Sequence, residues 1–293
     1  MYYRRKVLLA LIETFGGNLK RIDCQKLLLL FCQHTGQNHY DFFPYRYGGF
    51  SFLVYKDKEI LEHLGYLTKA DDFQVKDNST QFDGIRAEDQ LAMKLLVAKY
   101  GNMRGNPLIR QAYLEFPQYT CNSEILTHVL NRQEIETIQR NWNKETSSCI
   151  FTIGYEGRTI DSYLNTLIAN NIGMLVDVRR VPNSMKYGFS KTRLQSYINK
   201  AGIYYRHIPE LGIPTNMRQN LDGPEAYKIL FRHYEDEILP EQTDALKQIM
   251  NLLEEHHRIA LTCVEADYSM CHRHKIAEHI ARNPEFTAGI KHL

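Results

Sequence analysis

The chain has 293 residues, enough for one large domain or two ordinary ones. Its 43% hydrophobic and 24% charged content reads as a soluble globular protein, and no stretch approaches the ~20 apolar residues of a membrane span. The formal net charge is +2, with 19 basic and 17 acidic residues in 1–148 and 17 of each in 149–293; this excludes a basic tail and leaves nucleic-acid binding to a local patch.

Six cysteines (Cys24, Cys32, Cys121, Cys149, Cys263, Cys271) are too few and too scattered for a disulfide framework. The basic N-terminus is followed by an apolar run at 7–12 that is too short for a signal-peptide core and is closed by Glu13. A reduced, cytoplasmic protein is expected.

Residues 1–145 read mainly as helices. Leu8, Leu9, Leu11, Ile12 and Phe15 have helical spacing over 5–15 and stop at Gly16-Gly17. Asp23 is placed to cap a second helix over 25–34, ended by Gly36. The run Phe43 to Ser51 reads as an aromatic turn leading into a helix that ends at Leu64. Residues 65–68 and 73–76 then read as a short hairpin, and further helices are expected over 87–100, 107–116 and 124–140. Three helices and a hairpin follow winged-helix grammar. Gln25-Lys26-Leu27-Leu28 with Tyr45-Arg46-Tyr47-Gly48-Gly49-Phe50-Ser51 resembles winged-helix-like domains of bacterial regulators and antitoxin-type proteins, with Gly49 where that pattern usually has proline. The resemblance implies a surface for DNA or a protein partner; the alternative is that the aromatics only close a helix junction.

The polar run 142–148 reads as a linker, after which strands and helices alternate. Strands are expected over 149–154, 174–178, 203–208, 259–263 and 287–292. Helices are expected over 160–169, 191–201, 224–234, 241–256 and 271–282. Such alternation implies an α/β domain with a mainly parallel, Rossmann-like sheet over 149–293.

Ligands of open α/β sheets bind at the carboxyl ends of strands. Four strand-end motifs stand out: Thr152-Ile153-Gly154-Tyr155-Glu156-Gly157, Val176-Asp177-Val178-Arg179-Arg180-Val181-Pro182, Tyr205-Arg206-His207-Ile208-Pro209-Glu210-Leu211-Gly212, and Cys263-Val264-Glu265 through Cys271-His272-Arg273. Their order and spacing resemble the bacterial family named domain of unknown function 488. The resemblance covers 149–293 and implies a Rossmann-like domain without settling an activity. Some members of that family are encoded beside DNA-modification and phage-defence genes.

The residues themselves suggest roles. Arg179 and Arg180 suit phosphate or carboxylate, unless Asp177 and Arg179 merely pair to order the loop. Gly154 with Tyr155 and Glu156 permits close ligand approach but lacks the dinucleotide fingerprint, and a tight turn is the alternative. Ser190 is placed to cap a helix, with Lys186 and Tyr187 in reach of a substrate. His207 beside Glu210 is a candidate base, although a lone histidine is more often structural.

Three readings compete for 263–274. Cys263 is a nucleophile activated by helix amides and Arg273. Alternatively Cys263, Cys271, His272 and His274 bind zinc, which requires a strand end and a helix turn to converge. In the third, which is preferred, Glu265 is the acid–base group, Arg273 and the helix N-terminus hold phosphate, and the cysteines pack. On that reading no metal is assigned, the cofactor is open, and the ligand is a nucleotide or nucleic acid. The function expected is hydrolysis or base modification. The rival is a regulator that senses a phosphorylated ligand.

Overall fold

The computed structural model describes residues 1–76, 81–214, 217 and 223–293. The chain divides into two compact units, Met1–Trp142 and Asn143–Leu293. No helix among the described residues is long and apolar enough to cross a membrane. All six cysteines are free thiols.

The first unit is built from α1 (Tyr3–Thr14), β1 (Asn18–Leu19), α2 (Arg21–Thr35), β2 (Phe43–Tyr45), β3 (Gly48–Phe50), α3 (Phe52–His63), β4 (Phe73–Gln74), α4 (Ala87–Tyr100), α5 (Asn106–Glu115), α6 (Leu126–Val129) and α7 (Arg132–Gln139). Its core is the continuous apolar face of α1 and α2, Val7 to Ile12 and Leu27 to Phe31. The two sequence motifs of this half are one contact. Gln25 on α2 clasps the backbone of Ser51 through both amide atoms, at 3.0 Å each, and the Lys26 ammonium donates to Gly49 O at 2.7 Å. Where an aromatic turn was expected, the chain forms the β2–β3 hairpin, with Phe43 opposite Phe50. Gly48 there has φ +79°, and a Cβ would strike the ring of Tyr113.

Three further differences have local causes. Asp23 does not cap α2. Lys20 occupies that position, and the buried Asp23 carboxylate accepts the amide of Gly105 at 2.7 Å instead. The helix expected over 124–140 breaks in two, because Asn131 and Glu134 form a capping box that starts α7 afresh. The strand at 73–76 pairs mainly with β1, its expected partner supplying only a bridge from Leu67 to Val75.

The second unit contains β5 (Cys149–Gly154), α8 (Ile160–Ala169), β6 (Met174–Asp177), α9 (Lys191–Lys200), β7 (Tyr204–His207), α10 (Gly223–His233), α11 (Thr243–His256), β8 (Arg258–Cys263), α12 (Arg273–Ala281) and β9 (Gly289–His292). The strands form a five-stranded parallel sheet in the order β7-β6-β8-β5-β9. β5, β6 and β8 are buried on both faces, which is why they read as unbroken apolar runs. Ile249 and Leu253 of α11 and Ile276, Ala277 and Ile280 of α12 join the core on one face. The Tyr163 hydroxyl of α8 donates to Thr262 Oγ1 at 2.7 Å and ties α8 to β8. Ser190 stands before α9, but its side chain makes no cap bond.

Two predictions follow from burial. Burial pushes the Lys26 ammonium down to about 7 from 10.5. Between these values the unfolded chain binds more protons than the folded one, so stability rises with pH across that window. Lys26→Met should remove this slope, a change of up to about 1.4 kcal/mol per pH unit. Urea melts of both full-length proteins at pH 7 and pH 9 test it; equal differences at the two pH values mean that Lys26 stays charged in the fold. The second concerns residues 143–148. Asn171 donates to Asn143 O and Glu145 O, and the buried Arg258 donates to Ser147 O at 2.7 Å. A fragment starting at residue 143 should therefore be more stable than one starting at 149 by roughly 1–3 kcal/mol, and equal melting curves would show that these bonds contribute nothing.

Candidate functional site

β8 lies between β6 and β5, so the ends of these strands stand side by side. Asp177 is in register with Thr262 on one side and His207 on the other, and Gly154 is in register with Cys263. Every strand-end motif of the sequence therefore meets along one edge of the sheet.

The first element of the site is an ion pair. The fully buried Asp177 accepts from Arg179 Nε at 2.8 Å and Nη2 at 2.6 Å, from the Arg179 amide at 3.2 Å and from the Tyr205 hydroxyl at 2.7 Å. Burial works against the charge of Arg179, but Asp177 outweighs it and lifts the guanidinium above its ordinary range. Burial and the Asp177 charge likewise raise the Tyr205 phenol. With both carboxylate oxygens engaged, Asp177 is placed to orient Arg179 rather than to move protons. Arg179 Nη1 also donates to Phe189 O at 2.9 Å. A guanidinium has more donors than these bonds use, so Arg179 keeps capacity for a ligand.

The second element is the loop after β8. Its backbone folds onto the end of β5, where Val264 O accepts the amides of Tyr155 and Glu156. At Gly154 a Cβ would collide with the carbonyl oxygen of Glu265, so only glycine lets the loop lie this close. The Glu156 carboxylate accepts the Ala266 amide at 3.0 Å. Arg273, wholly buried, donates to Glu265 O at 2.7 Å and Ala266 O at 3.2 Å. Its guanidinium closes the loop through these two carbonyls, where its place at a helix start pointed to an anion. Tyr268 of the same loop stacks on His292 of β9 with centroids 3.9 Å apart, and His292 Nδ1 meets Thr152 Oγ1 at 2.7 Å.

The third element lies beneath that loop. Cys263, Cys271 and His272 are all buried, and their sulfur and nitrogen atoms lie within 4.8 Å of one another. The strand end and helix turn, whose convergence the zinc reading requires, do converge. His272 Nδ1 is 3.9 Å from each sulfur, and Nε2 is 3.2 Å from Val178 O. Burial, followed by the neighbouring Cys263, pushes the Cys271 thiol well above its usual range. Burial also works to raise Glu265, but the thiol of Cys271, a backbone amide, His272 and Cys263 together hold its carboxyl below the usual range. Glu265 Oε2 is nevertheless buried without a hydrogen-bond partner. His274, the fourth residue of the zinc reading, faces elsewhere, with Nδ1 2.5 Å from Cys271 O.

A cleft of about 160 Å³ opens over this edge, lined by Tyr155, Arg179, Arg180, Asn183, Cys263 and Val264, among others. Arg180 is exposed and forms no ion pair among the described residues; its Nη1 reaches Pro209 O at 3.3 Å. Tyr155 is nearly buried, stacked on Phe189 at 4.4 Å with the Arg179 guanidinium 5.2 Å over the ring. Of the other residues singled out, His207 Nε2 contacts Arg179 O at 2.8 Å, and Tyr187 pairs with Tyr197 of α9 at 2.8 Å, outside the cleft lining. Lys186 is directed at Tyr155 O. Phe189, Tyr205 and Asn183 were not expected in the site. For Tyr205 there was a signal, since strand alternation puts it on the same face as His207.

Residues 159–280 match the family model described as Domain of unknown function DUF488, so this domain lies within the second unit. No curated protein matches the chain, and no solved structure does.

The geometry separates charges held inside the fold from charges at its surface. Asp177→Asn leaves a buried guanidinium without its counter-ion and should cost roughly 3–5 kcal/mol. Arg273→Ala should cost about 3 kcal/mol, for two bonds from a charged donor. Arg180→Ala should change stability by less than about 0.5 kcal/mol. Chemical denaturation of the three variants measures this ranking, and a stable Arg273→Ala variant would show that the loop is held by other bonds.

Proposed function

We propose that the second unit is an enzyme acting on a nucleotide or nucleic acid, by hydrolysis or base modification, in the cleft over the ends of β5, β6 and β8. The observation that carries this reading is the cleft lining: Arg179 and Arg180 stand beside Cys263, which belongs to the buried cluster that Glu265 faces. Guanidinium pairs suit phosphate oxygens, and a carboxylate can carry a proton to or from a bound ligand. Arg180 supplies the unpaired cation, Arg179 is a second donor held in place by Asp177, and Glu265 is the acid–base group. His207 positions Arg179 through its carbonyl. In this reading the first unit, taken as winged-helix-like from its sequence motifs, recruits DNA or a protein partner.

A second reading, a non-catalytic regulator that senses a phosphorylated ligand, is favoured by Asp177 and Arg273 both being engaged inside the fold. Turnover distinguishes the two. Arg180→Ala should weaken binding of mononucleotides or oligonucleotides about tenfold, the equivalent of roughly 1.5 kcal/mol for one charge-assisted bond, with the melting curve unchanged. Glu265→Gln should bind normally and lose turnover. Normal binding by Arg180→Ala removes the phosphate assignment, and full activity in Glu265→Gln removes the catalytic one.

A further inference from the structure

We infer that Cys263 Sγ, Cys271 Sγ and His272 Nδ1 form a three-ligand site for a zinc-type transition-metal ion, with the fourth position open toward Glu265. This deepens the proposed function by naming what the reactive cluster would hold, and it rests on that reading only for the use made of the ion.

Donor chemistry comes first. Two sulfurs and an imidazole nitrogen, in a fold whose cysteines are all free, are the ligands that zinc-type ions prefer. Their geometry fits. Zinc lies about 2.3 Å from sulfur and about 2.0 Å from imidazole nitrogen, so a tetrahedral angle sets sulfur and nitrogen roughly 3.5 Å apart, a few tenths of an ångström inside the separations found here. The observed separations are 3.9 Å for both cysteines.

The imidazole is also oriented for the task. His272 Nε2 faces the carbonyl of Val178, which fixes the proton on that nitrogen and leaves the Nδ1 lone pair aimed at the two sulfurs. Metal-bound histidines are held in this way, by a carbonyl on the far nitrogen. A histidine that merely packed would not need its acceptor atom pointed between two thiols.

Two unsatisfied groups point the same way. Glu265 Oε2 and Arg273 Nε are the buried side-chain atoms without a hydrogen-bond partner among the described residues. Arg273 forms no ion pair among them either, although it is wholly buried. A buried cation without a counter-ion is costly. Deprotonation of the two thiols supplies negative charge, at Cys271 two residues back along the chain. Two thiolates and the Glu265 carboxylate then balance a divalent ion together with the Arg273 guanidinium. Glu265 lies outside the set of mutually close ligand atoms, although its carboxyl meets the thiols of Cys271 and Cys263. Three protein ligands, a water and a nearby carboxylate that is not a ligand are the parts with which zinc enzymes activate water for attack on a base or ester.

Binding would displace the thiol protons to solvent, so occupancy should fall in acid. The full-length protein, stripped with a chelator and refilled, should take up about one zinc per chain by elemental analysis. Cobalt should give the thiolate charge-transfer and tetrahedral d–d bands. Cys271→Ser should lose both, while Glu265→Gln and Cys149→Ser should keep them. Should Cys271→Ser fail to fold, the cobalt spectrum of the refilled wild type decides alone. Sub-stoichiometric uptake, or cobalt without a thiolate band, overturns the site; loss of metal in Glu265→Gln overturns the open fourth position. These readouts need no substrate. A protein that binds metal and turns nothing over removes the enzyme reading and keeps the site. Turnover by the stripped protein keeps the enzyme reading and removes the catalytic use of the ion.

Discussion

Everything at the sheet edge depends on how closely one loop can approach the end of β5. Gly154 has no side chain, so the Glu265 carbonyl rests where a Cβ would otherwise be. From that contact the loop turns back to meet Arg273, whose buried guanidinium takes two consecutive carbonyls. Only in this turned-back conformation does Cys271 come beneath Cys263, with His272 between the sulfurs and Val178 O. The cluster is thus a result of backbone packing first and of side-chain chemistry second. A larger residue at 154 would displace the loop without touching any of the reactive groups.

Much of the second unit is legible because its strands are buried on both faces. Continuous apolar runs with abrupt polar ends mark β5, β6 and β8 to within a residue, and the charges just beyond them mark the edge where ligands bind in this fold class. What a linear reading lacks is the full set of partners around each charge. Asp177 and Arg179 are two residues apart on a strand end, and nothing local says that Tyr205, from another strand, completes the carboxylate's partners. Arg273 shows the same limit from the other side. A cation at a helix start suggests a bound anion, but its partners are carbonyls that reach it only after the loop has folded.

The first unit shows how a motif can be informative for a structural reason. Gln25-Lys26 and Gly49-Ser51 stand far apart in the chain yet form one hydrogen-bonded joint. Its cost is a buried ammonium, tolerable because its one strong partner is a carbonyl and because its proton can leave near neutral pH. Composition could not reveal this, since a lysine in an apolar helix looks the same whether it snorkels to solvent or faces inward. The break between α6 and α7 was written in the sequence as Asn131 and Glu134, a capping box inside an otherwise continuous helical pattern.

The stacking of Tyr268 on His292 has a consequence for the order in which the molecule is made. β9 follows β8 in the chain yet lies on the far side of β5, where it holds both Thr152 and the loop that carries the cluster. A ribosome delivers Cys263, Cys271 and His272 before it delivers the strand that clamps their loop. Until β9 pairs with β5, that loop lacks its stacking partner, and the thiols beneath it are less shielded from oxidants, from metal and from each other. The buried cluster therefore depends for part of its cover on a strand that lies outside its own loop.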